Sequence, residues 1–418
     1  MKFSNFASRF NDSSGIVQLM DDLGNAMNND SDLLMLGGGN PSHIPIIQEH
    51  IRKSFLNLFD DPALFSNAIG NYESPQGNRI FIETIVKMLN KEYDWGIKYE
   101  NVALTVGSQS GFFFLFNMFG GKYADGTHKK ILLPITPEYI GYRDVGLVSD
   151  LFYSYKPKIE KLDNNFFKYR IDFEALEIRK NTAAICVSRP TNPTGNVLTD
   201  EEMSKLFSIA EQNQIPLIID NAYGEPFPGI IFTKTSPFWN KNTIFCMSLS
   251  KVGMPGVRTG IIVADSPVIK SIRNMNAAIN LSTPNFGPMI ANELIESGDL
   301  LALSKAEIKP FYQRKMEHAI SVIRKNFSNI DYYIHVPEGA IFLWLWLPNL
   351  NVSSDDLYER LKSRGTLVIS GSHFFPGLDD NWEHKDECLR ITYSMDKDVV
   401  EKGIEIIAEE IRAINASS

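Results

Sequence analysis

Cysteine is scarce in this 418-residue chain, which contains only Cys186, Cys246 and Cys388. A disulfide framework needs many paired cysteines, so three widely separated ones exclude it and favour a reducing compartment. No two of them have the Cys-x-x-Cys spacing of a cysteine zinc site. We therefore expect a cytoplasmic protein that contains no structural metal.

Positive charge and long apolar runs are also in short supply. The chain has 41 Lys and Arg against 50 Asp and Glu, and the basic residues are scattered, so the charge pattern of nucleic-acid binding is missing. The most apolar stretch, residues 340–347, is far too short to span a bilayer. The first residues lack the apolar segment of a signal peptide. We expect no nucleic-acid partner and no membrane association.

The middle of the chain alternates short apolar runs with amphipathic segments. The runs predict buried strands at residues 102–106, 130–133, 183–187, 217–219, 243–247 and 260–264. Between them, Thr199 followed by three acidic residues predicts the start of a helix over residues 200–212. This alternation predicts an α/β fold in which helices flank a mostly parallel central sheet.

The C-terminal third has a different pattern. It contains an amphipathic stretch over residues 310–326, apolar runs at 340–347 and 367–369, and a final helical pattern over 396–415. We interpret residues 305–418 as a smaller α+β domain that also takes up residues 1–45. Residues 46–304 would then form the large domain.

Chemically interesting residues follow the predicted strands, where open α/β sheets bind ligands. Residues 107–111 (GSQSG) come after the first strand and open a helix, so backbone N–H groups with Ser108 and Ser110 could bind an anion. An ordinary capped turn explains these residues equally well. The Gly-Lys-Ser/Thr ending of a Walker A loop is missing.

Further candidates follow the later strands: Tyr139, Asn192, Asp220, Lys251 and Arg258. Each residue by itself has an ordinary structural explanation, such as surface packing, turn chemistry, helix capping or solvation. A carboxylate placed directly after an apolar strand, however, needs a cationic or N–H partner. A lysine at a strand end among serines and glycines could be a nucleophile.

The order and spacing of these residues are more specific than any one of them. Asp220 follows Asn192 by 28 residues, Tyr223 follows Asp220 by three, and Lys251 follows Asp220 by 31. With the Asn-Pro-Thr-Gly turn and the Ser-Leu-Ser-Lys segment, this set resembles the fold-type I aminotransferases that use pyridoxal 5'-phosphate. The resemblance extends over residues 36–394. One departure is that Arg258 follows Lys251 by seven residues, where many members have eight.

The resemblance implies a role for each candidate. Lys251 would hold the cofactor covalently and move a proton, and Asp220 would keep the ring nitrogen protonated. Tyr223 and Asn192 would hold the ring oxygen, and Tyr139 would stack on the ring. The residues implied for the phosphate are Ser108, Gln109, Ser248 and Arg258, with Ser250 as a weaker candidate.

The resemblance also implies contacts to the substrate and to a second subunit. Arg390 would bind the substrate carboxylate, because a planar guanidinium suits a bidentate clamp. The backbone of Gly38 or Gly39 and the Asn192 amide would add contacts. Tyr72 resembles the tyrosine that reaches the phosphate of the neighbouring subunit, which implies a homodimer with shared active sites.

Five segments carry a narrower resemblance: residues 36–41, 136–142, 250–258, 339–347 and 373–377. They are similar to a bacterial family that passes the amino group between L-valine and pyruvate in two half-reactions, giving 3-methyl-2-oxobutanoate and L-alanine. A second arginine for an acidic substrate has no clear candidate, which favours a neutral amino acid.

Other interpretations stay open at this point. An alanine transaminase, another neutral amino-acid transaminase or a pyridoxal phosphate lyase would use the same cofactor residues. A transcription regulator with an aminotransferase-like domain is disfavoured, because only 35 residues precede the glycine-rich segment at 36–41 and they are not basic.

Overall fold

Two β-sheets organise the computed structural model, which describes residues 2–8, 10, 24 and 33–416. The strands are β1 Leu34–Met35, β2 Val102–Val106, β3 Gly121–Lys122, β4 His128–Leu133, β5 Phe152–Ser154, β6 Lys158–Leu162, β7 Phe166–Arg170, β8 Thr182–Ser188, β9 Leu217–Asp220, β10 Thr243–Ser248, β11 Thr259–Val263, β12 Tyr333–His335, β13 Phe342–Trp346, β14 Thr366–Leu367, β15 Ile369–Ser370 and β16 Cys388–Thr392. The α-helices are α1 Asn5–Ser8, α2 Pro45–Asp60, α3 Pro62–Gly70, α4 Arg79–Tyr93, α5 Gly107–Phe119, α6 Asp200–Gln212, α7 Ser266–Ile279, α8 Phe286–Glu296, α9 Asp299–Leu303, α10 Lys309–Asn326, α11 Ser354–Ser363 and α12 Lys397–Ala416.

The larger sheet has the strand order β2-β11-β10-β9-β8-β4-β3, and β5 pairs with β4. The central pairs β4–β8, β8–β9 and β9–β10 are parallel, whereas β11 is antiparallel to both of its neighbours. Every residue of β8, β9 and β10 is buried, which explains the apolar runs inside these strands. The predicted α/β fold with a mostly parallel sheet is confirmed, and each predicted strand of this sheet lies within two residues of its observed bounds.

Helix α6 begins and ends where the sequence predicts. The Thr199 hydroxyl accepts a hydrogen bond from the Glu202 N–H at 3.1 Å, and the Glu202 carboxylate accepts one from the Thr199 N–H at 2.8 Å. This reciprocal pair satisfies two N–H groups that the first turn leaves free. The helix buries Met203, Leu206 and Ala210.

The second sheet has the order β15-β16-β13-β12-β7-β6. It combines C-terminal strands with the hairpin β6–β7, and β7 pairs in parallel with β12. The division into residues 46–304 and residues 1–45 with 305–418 stays a prediction. This division places residues 158–170 in the large domain. Their strands, however, pair with the sheet of the C-terminal strands.

The apolar run at residues 367–369 forms two strands rather than the single one predicted. β14 pairs in parallel with β1, and β15 pairs antiparallel with β16, so the chain changes partner at Val368. A run of hydrophobic residues predicts burial, but it carries no information about which neighbour provides the hydrogen bonds.

Strands β8 and β9 end side by side, and β10 continues two residues further. Ser188, the last residue of β8, is in register with Asp220, the last residue of β9, and Cys246 of β10 is in register with Asp220 as well. Cys186, Cys246 and Cys388 are free and buried. Within the described ranges, no helix is both long and apolar enough to cross a membrane, and no three His, Cys, Asp or Glu side chains are grouped as metal ligands would be.

Candidate active site

Lys251 lies just beyond β10, in the short 3-10 turn Ser250–Val252. Its ammonium group donates a hydrogen bond to the Gly39 carbonyl and lies 5.4 Å from the centre of the Tyr223 ring. Burial lowers the pKa of this lysine to about 8, and the positive charge of Arg390 acts in the same direction. A lysine with this pKa is partly neutral near physiological pH and can act as a nucleophile or a base.

Asp220 is buried at the end of β9. One carboxylate oxygen accepts from the Ala222 N–H at 3.0 Å, and the other accepts from the Tyr142 hydroxyl at 2.7 Å. Burial raises the pKa of Asp220 to about 6, although the bonds from Tyr142 and Ala222 and the charge of Lys251 oppose the rise. A buried carboxylate held by neutral donors is well suited to accept a cationic N–H group from a ligand.

Arg390 lies on β16 and is almost completely buried. It donates to the Asn192 side-chain oxygen at 2.8 Å and to the Gly37 carbonyl at 2.6 Å, and its guanidinium lies 4.1 Å from the centre of the Phe342 ring. Its Nε is buried and has no hydrogen-bond partner among the described residues. Burial lowers the pKa of Arg390 to about 10, so it stays charged at neutral pH and needs an anion.

An anion cradle lies where α5 begins. Gly107 has a φ of +72°, and a Cβ at this position would lie 2.2 Å from the Arg258 guanidinium. Only glycine therefore allows Arg258 to lie against the helix N-terminus, where free N–H groups and the helix dipole attract negative charge. Arg258 itself has a φ of +49°, an uncommon conformation for a residue other than glycine.

The remaining phosphate candidates lie around this cradle. Ser108 and Gln109 belong to the first turn of α5, and the Gln109 amide donates to the Gly141 carbonyl at 2.8 Å. The Ser248 hydroxyl donates to the Ser250 hydroxyl at 3.0 Å at the end of β10. Hydroxyl and amide groups next to a guanidinium and a helix N-terminus fit a phosphate group.

Two tyrosine rings lie near Asp220, and that of Tyr139 is also near Arg258 of the cradle. Tyr139 is half-buried, its ring lies against Gly141, and it packs edge-on to Tyr142 with 5.5 Å between ring centres. Tyr223 is buried and packs edge-on to Phe342. A flat ligand between these groups would meet aromatic faces as well as the polar residues.

The structure brings together all but one of the sequence candidates. Lys251, Asp220, Asn192 and Arg390 are connected by direct contacts or by the electrostatic effects described above. Gly38 lies between two residues whose carbonyl groups contact Arg390 and Lys251. The exception is Tyr72, which is 83% exposed and is not part of this site within one chain.

Sequence reasoning missed Gly37, Glu138, Tyr142 and Ser188. Gly37 supplies the carbonyl that holds Arg390, and Tyr142 supplies the hydroxyl that holds Asp220. A signal was present, because each of them lies within four residues of a candidate that the sequence did provide. Spacing along a loop does not show which side chains turn inward.

The constellation of a half-buried amine, a buried carboxylate, aromatic rings and an anion cradle fits a phosphorylated pyridine aldehyde. Residues 32–407 match the family described as aminotransferase class I and II, and the chain belongs to this family. The sequence-based expectations of the family and of a transaminase are confirmed. Pyridoxal 5'-phosphate, the predicted cofactor, is the cofactor of the family, and the residues present fit it.

Several relatives resemble the chain over its full length. It is 48% identical to valine–pyruvate aminotransferase of Escherichia coli K12, and the match covers 100% of both chains. A solved structure of a putative amino-acid aminotransferase from Psychrobacter arcticum 273-4 has 46% identity and a TM-score of 0.97 with 100% of both chains covered. Valine–pyruvate aminotransferase AvtA from Salmonella typhimurium LT2 has 47% identity and a TM-score of 0.89, with 97% of this chain and 100% of that chain covered.

Proposed function

We propose that this chain transfers the amino group between L-valine and pyruvate, giving 3-methyl-2-oxobutanoate and L-alanine in two half-reactions. The observation that carries the proposal is the arrangement of Lys251, Asp220 and Arg390 at one sheet edge. The full-length similarity to proteins named valine–pyruvate aminotransferase supports the choice of substrates.

The residues around Lys251 would hold pyridoxal phosphate in one orientation. The cofactor, when bound, supplies an aldehyde that takes up the amino group and a ring that withdraws electrons from the substrate. Asp220 would pair with the ring nitrogen, Asn192 and Tyr223 would donate to the ring oxygen, and Tyr139 would stack on the ring. Ser108, Gln109, Ser248 and Arg258 would hold the phosphate group.

Lys251 is the proton carrier of the proposed reaction. Because burial lowers its pKa to about 8, the amine loses its proton more readily than an exposed lysine does. A neutral amine can remove the proton from the substrate α-carbon and return it at the adjacent position. The Gly39 carbonyl, which accepts a hydrogen bond from the amine, fixes its direction in the free protein.

Arg390 is the substrate-binding residue of the proposal. Asn192 and Gly37 hold its guanidinium, and the rings of Phe342 and Phe374 lie 4.1 and 5.3 Å away. The charge is therefore preorganised and shielded from water, which strengthens its bond to a carboxylate. Apolar walls distinguish side chains by only about 1–3 kcal/mol per methylene, so we expect activity on other small neutral amino acids.

The proposal includes a homodimer with shared active sites. Large apolar side chains are exposed on α2, α3, the loop after α3, the start of α4, and the end of α7 with the residues just after it: Leu56, Phe59, Leu64, Ile69, Tyr72, Ile80, Ile279 and Leu281. These segments are neighbours, because Asn276 of α7 donates to the Pro75 carbonyl at 2.9 Å and Asn78 donates to Asn285 at 2.8 Å. An extended apolar surface of this kind is typical of a subunit interface, and exposed Tyr72 lies within it.

A cytoplasmic location is the last part of the proposal. Three free, buried cysteines are the pattern of a protein that stays in a reducing compartment.

The visible absorption spectrum of the purified protein tests the substrates directly. We expect L-valine to remove the band of the lysine-bound cofactor and pyruvate to restore it, because the two compounds drive opposite half-reactions. Lys251→Ala is the control, and it should show neither change. If the wild-type band does not change with valine but changes with another amino acid, that amino acid replaces valine as the proposed substrate. The transaminase chemistry would still hold.

A further inference from the structure

A chain of buried polar side chains runs from Asp220 to Glu138. The Tyr142 hydroxyl donates to Asp220 at 2.7 Å and lies 3.3 Å from the Ser188 hydroxyl. The Ser188 hydroxyl in turn lies 2.5 Å from one carboxyl oxygen of Glu138. The other Glu138 oxygen accepts from the Ser188 N–H at 2.8 Å. Four side chains from three segments therefore form one continuous hydrogen-bonded row, which we call the Glu138 relay.

Glu138 is unusual because it is a fully buried carboxyl group, at 0% exposure, held by the N–H and the hydroxyl of one serine. Burying an ionised carboxylate costs far more than burying a neutral acid. Burial raises the pKa of Glu138 to about 8 and the nearby negative charge of Asp220 raises it further, against the hydrogen bonds from Ser188 and from the Tyr139 backbone. Glu138 is therefore largely protonated at neutral pH.

A neutral Glu138 sets the direction of every hydrogen in the relay. One of its oxygens accepts from the Ser188 N–H, so its own proton lies on the oxygen that faces the Ser188 hydroxyl. Ser188 can then donate to Tyr142, and Tyr142 donates to Asp220. Burial raises the pKa of Tyr142 well above its usual value, so this hydroxyl keeps its proton. Hydrogen bonds aligned in one direction strengthen one another.

We propose that Glu138 is a positioning residue that acts as a neutral acid through Ser188 and Tyr142 to hold Asp220 as an anion facing the cofactor ring nitrogen. The inference rests on the proposed function for its catalytic consequence. An ionised Glu138 would accept the hydrogen bond of the Ser188 hydroxyl, so Ser188 could no longer donate to Tyr142, and it would place a second negative charge near Asp220.

Other titratable side chains surround Glu138 and Asp220: Tyr139, Tyr142, Cys186, Tyr223, Cys246 and Lys251. Burial raises the pKa of both cysteines well above the usual value, so they stay neutral. Lys251 acts on Asp220, where its positive charge favours the anion. The relay approaches Asp220 from the side of β8.

The first experiment measures the protonation of Glu138 without turnover. Infrared difference spectra of the holoenzyme at pH 7, wild type minus Glu138→Gln, should show the C=O stretch of a protonated carboxyl group. Glu202→Gln is the matched control, because Glu202 is also buried but caps α6, and it should not remove this band. A difference spectrum with only carboxylate bands would overturn the proposal.

The second experiment measures the effect at the ring nitrogen. Nitrogen NMR of holoenzyme loaded with isotopically labelled pyridoxal phosphate should show a protonated ring nitrogen in wild type and in Glu138→Gln, because the amide can still donate to Ser188. Tyr142→Phe and Glu138→Leu should shift this signal towards the neutral form. We expect kcat to fall at least ~10-fold in these two variants, as for a lost hydrogen bond to a charged group, with KM for the amino acid nearly unchanged.

The outcomes separate the two proposals. If valine transamination fails but the protonated carboxyl band and the nitrogen shifts appear as described, the relay stands and the substrates are wrong. An unchanged nitrogen signal in folded Glu138→Leu and Tyr142→Phe, verified by circular dichroism, would overturn the relay whatever the activity. The proposal would also be overturned if kcat fell as far in Glu138→Gln as in Glu138→Leu. The amide of glutamine, a neutral donor, would then have failed to replace the protonated carboxyl group.

Discussion

At the residue scale, the site depends on charges that are buried and held by their neighbours. Arg390 contacts Asn192 and the Gly37 carbonyl, and two phenylalanine rings cover its guanidinium. Asp220 is buried and Lys251 is half-buried, and the loss of solvent moves the pKa of each towards neutrality. Such shifted groups are typical of active sites, because an acid or base with a pKa near the working pH transfers protons most effectively.

Replacing Arg390 with lysine tests the carboxylate clamp. The ammonium group cannot reproduce two parallel N–H bonds, so we expect KM for valine and for pyruvate to rise roughly 10- to 100-fold. Steady-state kinetics with both substrates measures the change. Arg364→Lys is the control, since Arg364 pairs with Glu409 and Glu410 at the surface. If KM for both substrates stays at the wild-type value in Arg390→Lys, the carboxylate binds elsewhere.

At the element scale, the N-terminus of α5 and the turn that contains Arg258 form one unit. Gly107 N–H donates to the Arg258 carbonyl, and the Arg258 side chain lies where a Cβ of residue 107 would be. Both residues have positive φ angles. The close contact between a helix N-terminus and a guanidinium is stable only if the two positive groups share an anion, which the cofactor phosphate would provide.

Gly107→Ala tests this unit. The added Cβ would displace Arg258, and alanine is strained at a φ of +72°, so we expect cofactor affinity to fall at least ~10-fold and unfolding free energy to fall by about 1–2 kcal/mol. Gly126→Ala is the matched control, because Gly126 has a φ of +86° with no atom within 4 Å of the added Cβ. The control should lose stability but keep cofactor affinity, as measured by equilibrium titration with pyridoxal phosphate. Equal affinity in both variants would contradict the cradle.

At the scale of the whole molecule, the second sheet buries neutral histidines. Burial lowers the pKa of His335 and of His384 to about 3, and His384 contacts the Tyr169 hydroxyl inside the core. In the unfolded chain these groups titrate near their usual pKa of about 6.5. Between those values the unfolded state binds more protons than the folded state, so folding stability falls as the pH falls below about 6.5.

Acid sensitivity is therefore a property we expect of the whole fold. Each buried histidine should reduce the unfolding free energy by about 1.4 kcal/mol per pH unit between roughly pH 6 and 4. Thermal midpoints of the holoenzyme at pH 7 and pH 5, at one protein concentration, should differ less for His384→Gln than for wild type. His43→Gln, at an exposed position, should behave like wild type. The same difference in all three proteins would show that His384 does not contribute.

Local sequence patterns determined much of this protein. Helix α6 follows from the cap formed by Thr199 and Glu202 and from the apolar positions Met203, Leu206 and Ala210, because capping and helical periodicity act over a few residues. The buried strands follow from apolar composition, and the order of Asn192, Asp220 and Lys251 along the chain indicates the chemistry. The amino-acid sequence alone therefore determines the α/β class and the aminotransferase family.

Only the tertiary structure decided what depends on contacts between distant segments. The hairpin β6–β7 joins a sheet of C-terminal strands, the run at residues 367–369 divides between two partners, and β11 runs antiparallel to its neighbours. The Glu138 relay and the contact of Arg390 with Gly37 likewise join residues from separate segments. The physical reason is that hydrogen-bond partners and burial are properties of the packed chain, and a buried charge takes its pKa from neighbours that the sequence does not place beside it.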